Sequence, residues 1–390
     1  MLEDIFIFPF ILWGRAMARN NKLDEEYDIF FFFPFYHIGG AEKVHAQIAS
    51  AFSDKKAIIF FTRKSHNDFF LRAFQLSGHR IIDISAFTDN RWQYFNNLFY
   101  RGLVSKYIND QKRPPIVFNG QSNFGYKISP WIKKSIPQIE LIHSFNSFSY
   151  IRLPFLPFYS HTVMISRRRI ADHLKQYREW GVPPNYDNRI QFILNGIPLP
   201  HYPVHKQWDR KLRVLYSGRA TPEKRVQWIV TLAEKCAAEK IPVDFVFMGD
   251  VREALPADKR TAGEFLGNIG DPDKIQEQYR KAHVLVLSSS TEGFPMVVEE
   301  AMATGCAILA TPVGDIPLHV VEGENGMLFS ESLSEDLFLQ EGTKFIRILA
   351  ENRMLLQNLS QNNIQYAQAH FGLEAFSKAY RELFEKASQP

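Results

Sequence analysis

The chain has 390 residues, 45% of them hydrophobic and 23% charged, with a net charge of +4. That length is too great for one ordinary core and calls for two or three domains, in a composition ordinary for a soluble globular protein. The mild basicity (pI near 8.8) tolerates anionic substrates or an anionic membrane surface and falls far short of a nucleic-acid-binding signature.

The N-terminal segment, residues 1–23, opens MLEDIFIFPFILWGRAMARNNK. Its apolar run, Ile5 to Trp13, contains Pro9 and is followed by Arg15, Arg19 and Lys22. A secretory signal has the reverse order of charge and apolar run. The run is also well short of the ~20 residues that span a bilayer. Two readings stay open: a segment packed on the domain, or an interfacial foot whose basic flank meets anionic lipid.

From Tyr27 onward, apolar runs rich in Ile, Val and Phe predict strands at DIFFFFPF, KAIIFFT, HRIIDIS, PPIVFNG, IELIHSF, HTVMIS and IQFILNG. Helical spacing separates them, as in AEKVHAQIASAF and RRRIADHLKQYREWG. This alternation predicts a parallel α/β domain over 24–198. Residues 199–211, rich in Pro, His and Lys, read as a linker. Alternation resumes over 212–365 with LRVLYSG, VDFVFMGD, TAGEFLGNI, HVLVLSS, AILATPVG and GMLFS. The tail from about Gly342 to Glu385 reads as continuous helix. A last helix over 366–390 is expected to return toward the first domain. Open parallel sheets bind ligands at the carboxyl ends of their strands, so each half offers a site there.

Three loops carry the chemistry. In TEGFPMVVEE, Glu292 and Glu300 form E-x7-E across a strand end, a tight turn and the start of a helix, with Pro295 suited to the helix's first turn. A helix N-terminus there would receive an anion, and the carboxylates would accept sugar hydroxyls. In SGRATPEKRV, Gly218, Arg219 and Lys224 follow the first strand of the second half, where a phosphate would sit. In FYHIGGAEKV, Gly39 and Gly40 permit close backbone approach. Taken singly, each also has a structural reading: a helix-start carboxylate, a solvated loop, an ordinary turn. Asp271 and Asp273 form a D-x-D that reads as a helix cap and not as a metal site. Arg167 to Arg169 read as a solvated helix start. Cys236 and Cys306 make neither a disulfide framework nor a metal-ligand spacing, which suits a reducing, cytoplasmic setting.

Together GGAEKV, NGI, GR…EK and EGFPMVVEE, in this order, resemble the GT-B glycosyltransferases of family 4, over roughly residues 27–385. The resemblance implies two Rossmann-like parallel α/β domains facing each other across a cleft, with C-terminal helices. It implies a retaining, metal-independent transfer from a nucleotide sugar, UDP- or GDP-linked, with no cofactor. The acceptor would be a hydroxyl of a glycan or lipid-linked saccharide, in cell-surface polysaccharide synthesis. Carried over by position, Arg219 and Lys224 would bind the donor diphosphate and offset leaving-group charge. Glu300 would hold the ribose, and Glu292 would face the donor sugar. Gly218 and the backbone of Gly293, Phe294, Pro295 and Met296 would contact sugar and phosphate. Gly39 and Gly40 would let their loop close over the donor, and His143 in LIHSFNSFS would lie against its sugar. The donor phosphate would take the acceptor's proton, so no general base is required.

The chain departs from the family pattern at NGIP, VGDIPLH and MGDV, which bears on nucleotide choice. Specificity is expected in first-domain loops, Thr88 to Tyr107 and Asn146 to Ser160. The alternatives are another sugar-nucleotide enzyme of this fold, epimerase or phosphorylase-like, or a catalytically silent scaffold subunit. A Rossmann oxidoreductase would want G-x-G-x-x-G, which GGAEKV does not supply. A place at the inner face of the membrane follows only from the N-terminal foot.

Overall fold

The computed structural model describes residues 2–90, 94–145, 148–200, 205–208, 210–332 and 334–389, the side chains of 2–5 excepted. It divides into two compact units, Met1–Leu194 with Phe376–Pro390, and Asn195–Ala375. Residues 201–204 and 209 of the expected linker, and 146–147 of the expected specificity loop, lie outside the described residues.

The first unit contains a parallel sheet of β1 (Ile29–Phe33), β2 (Ala57–Phe61), β3 (Arg80–Asp83), β4 (Ile116–Asn119), β5 (Gln138–Ile142), β6 (His161–Met164) and β7 (Ile190–Phe192). Their order is β3-β2-β1-β4-β5-β6-β7. Strands β1, β2, β4 and β5 are buried along their whole length, which is why they read as unbroken apolar runs. The helices of this unit are α1 (Leu2–Asn20), α2 (Gly40–Ala51), α3 (Leu71–Leu76), α4 (Ser85–Thr88), α5 (Tyr94–Asn109), α6 (Asn123–Ile128), α7 (Phe148–Ile151) and α8 (Arg167–Glu179).

Helix α1 runs through Pro9 and lies on α5. Two glycines set the distance: a Cβ at Gly14 would stand 2.1 Å from Phe99 O, and one at Gly102 would stand 2.1 Å from Ile11 O. Phe10 meets Phe95 and Trp13 meets Phe99, each with ring centroids 4.8 Å apart. The outer face leaves Phe6 76% and Leu12 46% exposed, and Trp13, at its edge beside Phe99, keeps 59% of its surface exposed. The N-terminal segment is therefore packed on its domain and still shows an apolar outer face. No helix among the described residues is long and apolar enough to cross a membrane.

The expected loop Thr88 to Tyr107 is largely helix α5, with 91–93 outside the described residues. Covered by α1 on one side and carrying Val104 and Ile108 into the core on the other, it has no polar face to betray a helical period.

The second unit contains β8 (Leu212–Ser217), β9 (Val243–Met248), β10 (Glu264–Gly267), β11 (Val284–Leu287), β12 (Ala307–Ala310) and β13 (Gly326–Leu328) in the parallel order β10-β9-β8-β11-β12-β13. Its helices are α9 (Val226–Ala238), α10 (Pro272–Lys281), α11 (Met296–Ala303), α12 (Ile316–His319), α13 (Glu335–Glu351) and α14 (Arg353–His370). Helix α15 (Leu373–Ser388) leaves this unit at Ala375 and continues in the first, where Phe384 packs on Phe52. The tail is three helices and not one. Asn352 ends α13 and caps α14, accepting from Leu355 N–H at 2.9 Å, and the chain breaks again at Phe371–Gly372. Asp271 caps α10 by accepting from Asp273 N–H, as the D-x-D pattern predicts.

The chain entering this unit is held by Lys206, which is buried. Its ammonium donates to Tyr279 O (2.9 Å) and Ala282 O at the C-terminal end of α10, where carbonyls lack helical partners.

Candidate active site

In the second unit the strand order reverses direction between β8 and β11, which makes their carboxyl ends the topological switch point of the sheet. The loop after β8 carries Gly218, Arg219 and Lys224, and the loop after β11 carries Glu292, Gly293 and Phe294. Because the strands are hydrogen-bonded neighbours, these two loops rise side by side.

They are tied together closely. Lys224 Nζ stands 2.5 Å from Glu292 Oε1. Ser290 N–H donates to Glu223 O at 2.8 Å, and Ser288 Oγ donates to Lys224 O at 2.8 Å. Arg225 adopts a left-handed backbone (φ 47°), unusual without glycine. From there its guanidinium donates to Ser288 O (2.7 Å) and Ser289 O (3.0 Å) and lies over the Trp228 ring. Neither Arg225 nor Ser288 stood out in the sequence. The only signal available was their adjacency to Lys224 and to the end of β11.

Tyr216, buried at the end of β8, donates its hydroxyl to Arg219 O at 2.7 Å. Burial and then the charge of Glu292 push this phenol's pKa up. Arg219 itself is exposed. Gly218 packs against Gly249, whose φ of +126° and missing side chain are both required, since a Cβ there would lie 2.0 Å from Gly218 O.

Glu300 is buried in α11, with only 8% of its surface exposed. Beside it lies Tyr279 of α10, whose hydroxyl is 3.1 Å from Ser217 Oγ and whose pKa is raised by burial and then by Glu300. Tyr279 therefore connects Glu300 to the end of β8, a relation with no signature in local sequence. Pro295 stands at the N-cap of α11 and not within its first turn, and Met296 is the first helical residue. The Phe294 side chain is core, stacked on His319 at 4.1 Å between centroids, so only its backbone remains available to a ligand. Gly293 O accepts from Asp315 N–H at 2.8 Å, and Gly314 (φ +62°) lets that loop approach, a Cβ there standing 2.1 Å from Gly293 O. VGDIPLH thus buttresses the Glu292 loop.

In the first unit the corresponding switch point is between β1 and β4. Gly39 precedes α2, and the Glu42 carboxylate occupies the space its side chain would need (2.1 Å from an ideal Cβ). Gly40 faces open space. His143 follows β5, half-buried, with its backbone N–H donating to Gln121 Oε1 (3.3 Å) and its ring against His45, another residue the sequence did not single out. Burial lowers the His143 pKa to about 4.

The structure brings Lys224 and Glu292 into contact, sets Glu300 and Gly218 on the same sheet end, and places Gly39, Gly40 and His143 on the first unit's carboxyl-end loops. Paired cation and carboxylate beside a helix N-terminus suit a ligand with both phosphate and hydroxyls.

The family described as glycosyl transferases group 1 matches residues 211–340, the span that holds all of the second unit's site residues. The chain carries a group 1 glycosyl transferase domain. An uncharacterized glycosyltransferase of Methanocaldococcus jannaschii is 26% identical, over 55% of this chain and 59% of its own length. The lipopolysaccharide 1,2-N-acetylglucosaminetransferase of Salmonella typhimurium is 27% identical, over 33% of this chain and 37% of its own. This chain thus spans less than two thirds of either relative. The crystal structure of Anabaena Alr3699/HepE in complex with UDP and glucose superposes with a TM-score of 0.72, covering 92% of this chain and 99% of that one at 15% identity. That likeness extends the assignment from the group 1 domain to the fold of both units, which is GT-B.

Proposed function

We propose that this chain moves a glycosyl group from a nucleotide-sugar donor to a hydroxyl of a glycan or lipid-linked saccharide. The observation that carries the reading is the Lys224–Glu292 pair at the switch point of the group 1 domain. Lys224, with Arg219 nearby on the same loop, meets the donor diphosphate and offsets the charge that develops as the glycosidic bond breaks. Those two cations supply what the leaving group needs, so no metal enters this reading. The N–H groups at the start of α11 add to the same anion site, Pro295 at its N-cap having no N–H to give.

Glu300 accepts from the ribose, and Glu292 positions the sugar and stabilises positive charge at its reacting carbon. Retention follows if the departing phosphate takes the acceptor's proton on the same face, which leaves Glu292 no nucleophilic task. Gly40, His143 and the Gly39 turn serve the donor from the first unit's loops. A UDP-linked donor is favoured by the UDP in the Anabaena protein, and the lipopolysaccharide enzyme among the relatives favours a saccharide acceptor. The outer face of α1, with Phe6, Leu12 and Trp13 exposed and Arg19 and Lys22 at its end, seats the enzyme on an anionic membrane surface where lipid-linked acceptors reside.

The test is a thermal-shift panel of UDP-, GDP- and ADP-sugars on the wild type and Lys224→Ala. A donor at ~100 times its Kd adds about 2.7 kcal/mol of stability. A shift with one nucleotide, absent in the variant, supports the reading. No shift with any of them would turn it toward a silent scaffold.

A further inference from the structure

His45 lies on α2, fully buried, with its ring stacked on Phe33 at 4.5 Å between centroids and 18° between planes. Its Nε2 stands 2.9 Å from Nε2 of His143, the two rings edge to face. Gly120, in the turn after β4, leaves the room this requires: a Cβ there would be 2.7 Å from His45 Nε2 and 2.6 Å from the Phe33 ring. The end of β1, helix α2 and the turn after β4 are all shaped around one imidazole.

Two nitrogens at 2.9 Å hold one proton between them, and either ring could supply it. The surroundings decide. His45 Nδ1 is buried with no hydrogen-bond partner among the described residues. Were His143 the donor, a neutral His45 would carry its own proton on Nδ1, a buried N–H with nothing to receive it. Orphaned buried N–H groups are rarer and costlier than bare acceptors. With the proton on His45 Nε2, only a lone pair is left unpaired. Burial opposes the charged alternative for both rings.

We propose that His45 is a positioning residue whose Nε2–H fixes His143 as the Nδ1–H tautomer, so that His143 offers the donor sugar a hydrogen bond and never acts as a base. The second half of this inference rests on the reading of His143 as substrate-facing. The first half stands on the geometry of the pair.

Long-range 1H–15N correlation on the full-length, histidine-labelled protein at pH 7.5 reads the tautomer directly, with the His143 signals identified by their loss in His143→Gln. The expected result is a protonated Nδ1 and a bare Nε2. His45→Phe keeps the stack on Phe33 and removes the shared proton. It should release His143 to the Nε2–H tautomer and lower kcat roughly tenfold with little change in donor KM, the loss of about one hydrogen bond. His45→Gln, whose amide can donate from the same place, should restore both. A wild-type His143 protonated on Nε2 overturns the proposal, and that spectrum decides it even if His45→Phe does not fold. An unchanged His143 tautomer in a folded His45→Phe overturns it equally. If His143→Ala turns over as fast as the wild type while His45→Phe still flips the tautomer, the lock stands and the substrate-facing reading falls.

Discussion

Lys224 Nζ meets Glu292 Oε1 at 2.5 Å although 68 residues separate them, and their side chains are only 18% and 11% exposed. A cation held this way is already compensated before any substrate arrives. An incoming diphosphate must share Lys224 with Glu292 or displace it, so the two side chains act on the donor in opposite senses.

That opposition separates their variants. Lys224→Ala should abolish donor binding and lower kcat/KM by roughly 100-fold or more. Glu292→Gln frees Lys224 for the diphosphate, so donor Kd should hold or fall while kcat drops by a similar factor. Each single variant breaks a mostly buried charged hydrogen bond, which should cost about 1–3 kcal/mol of stability. Calorimetric titration with the donor and steady-state rates check both. Weakened donor binding in Glu292→Gln would place Glu292 among the binding residues instead.

Arg225 combines a left-handed backbone with two hydrogen bonds to the β11 loop. Glycine removes the backbone cost of about 1 kcal/mol but also the bonds, whereas alanine removes the bonds and keeps the cost. Arg225→Gly should therefore be more stable than Arg225→Ala by about that amount. Both should lose activity, because the Lys224 loop is no longer fixed against Glu292. Denaturant midpoints and kcat/KM measured on the pair distinguish the backbone contribution from the side chain's.

The legible part of this molecule is the part with local causes. Strands such as Phe30 to Phe33 are buried on both faces, so they read as apolar runs. Glu292 and Lys224 stand in short loops after strands, where sequence order alone predicts proximity to a ligand. What escaped depends on distant neighbours. Tyr279 reaches Ser217 and Glu300 from another helix, and His45 resembles any core residue of α2 until His143 is placed beside it. Arg225 hides because a φ of 47° has no sequence mark when the residue is not glycine. Helix α5 lost its amphipathic period because α1 covers the face that would have been polar.

The buried imidazoles predict an acid limb in stability. Burial lowers His143, His173 and His283 to about 4, and His45 well below its usual value. His283 is held neutral by geometry as well, accepting from Arg213 N–H at Nδ1 (2.9 Å) and donating from Nε2 to Gln207 O. The folded chain thus binds fewer protons than the unfolded one between pH 4 and about 6.5, so stability rises with pH across that window and is lost as pH falls through it. Each such group steepens the dependence by up to about 1.4 kcal/mol per pH unit. Chemical denaturation at pH 4.5 to 7.5 should show the slope, and His283→Gln should flatten it. A level profile over this range would mean that these rings are protonated in the folded chain.

The outer face of α1 gives the last prediction. Phe6 and Trp13 are exposed on a helix whose other face is fastened to α5 through Gly14 and Gly102. Replacing both with Ser removes mostly solvated apolar area and, at Trp13, the edge contact with Phe99, so thermal stability should fall by about 0.5–1.5 kcal/mol, the worth of one aromatic pair. Binding to vesicles containing anionic lipid should fall at least tenfold, since two buried aromatic rings contribute more than the ~1.4 kcal/mol that factor represents. Arg19→Ala with Lys22→Ala should weaken binding by about 1 kcal/mol per charge and reduce its sensitivity to salt. Gly102→Val tests the attachment itself: its side chain would collide with Ile11 O, so α1 should lift from α5 and exchange its amide hydrogens faster, while the sheet core keeps its protection. Vesicle co-sedimentation unaffected by the Phe6 and Trp13 substitutions would leave the apolar face to a protein partner, and the membrane would no longer explain it.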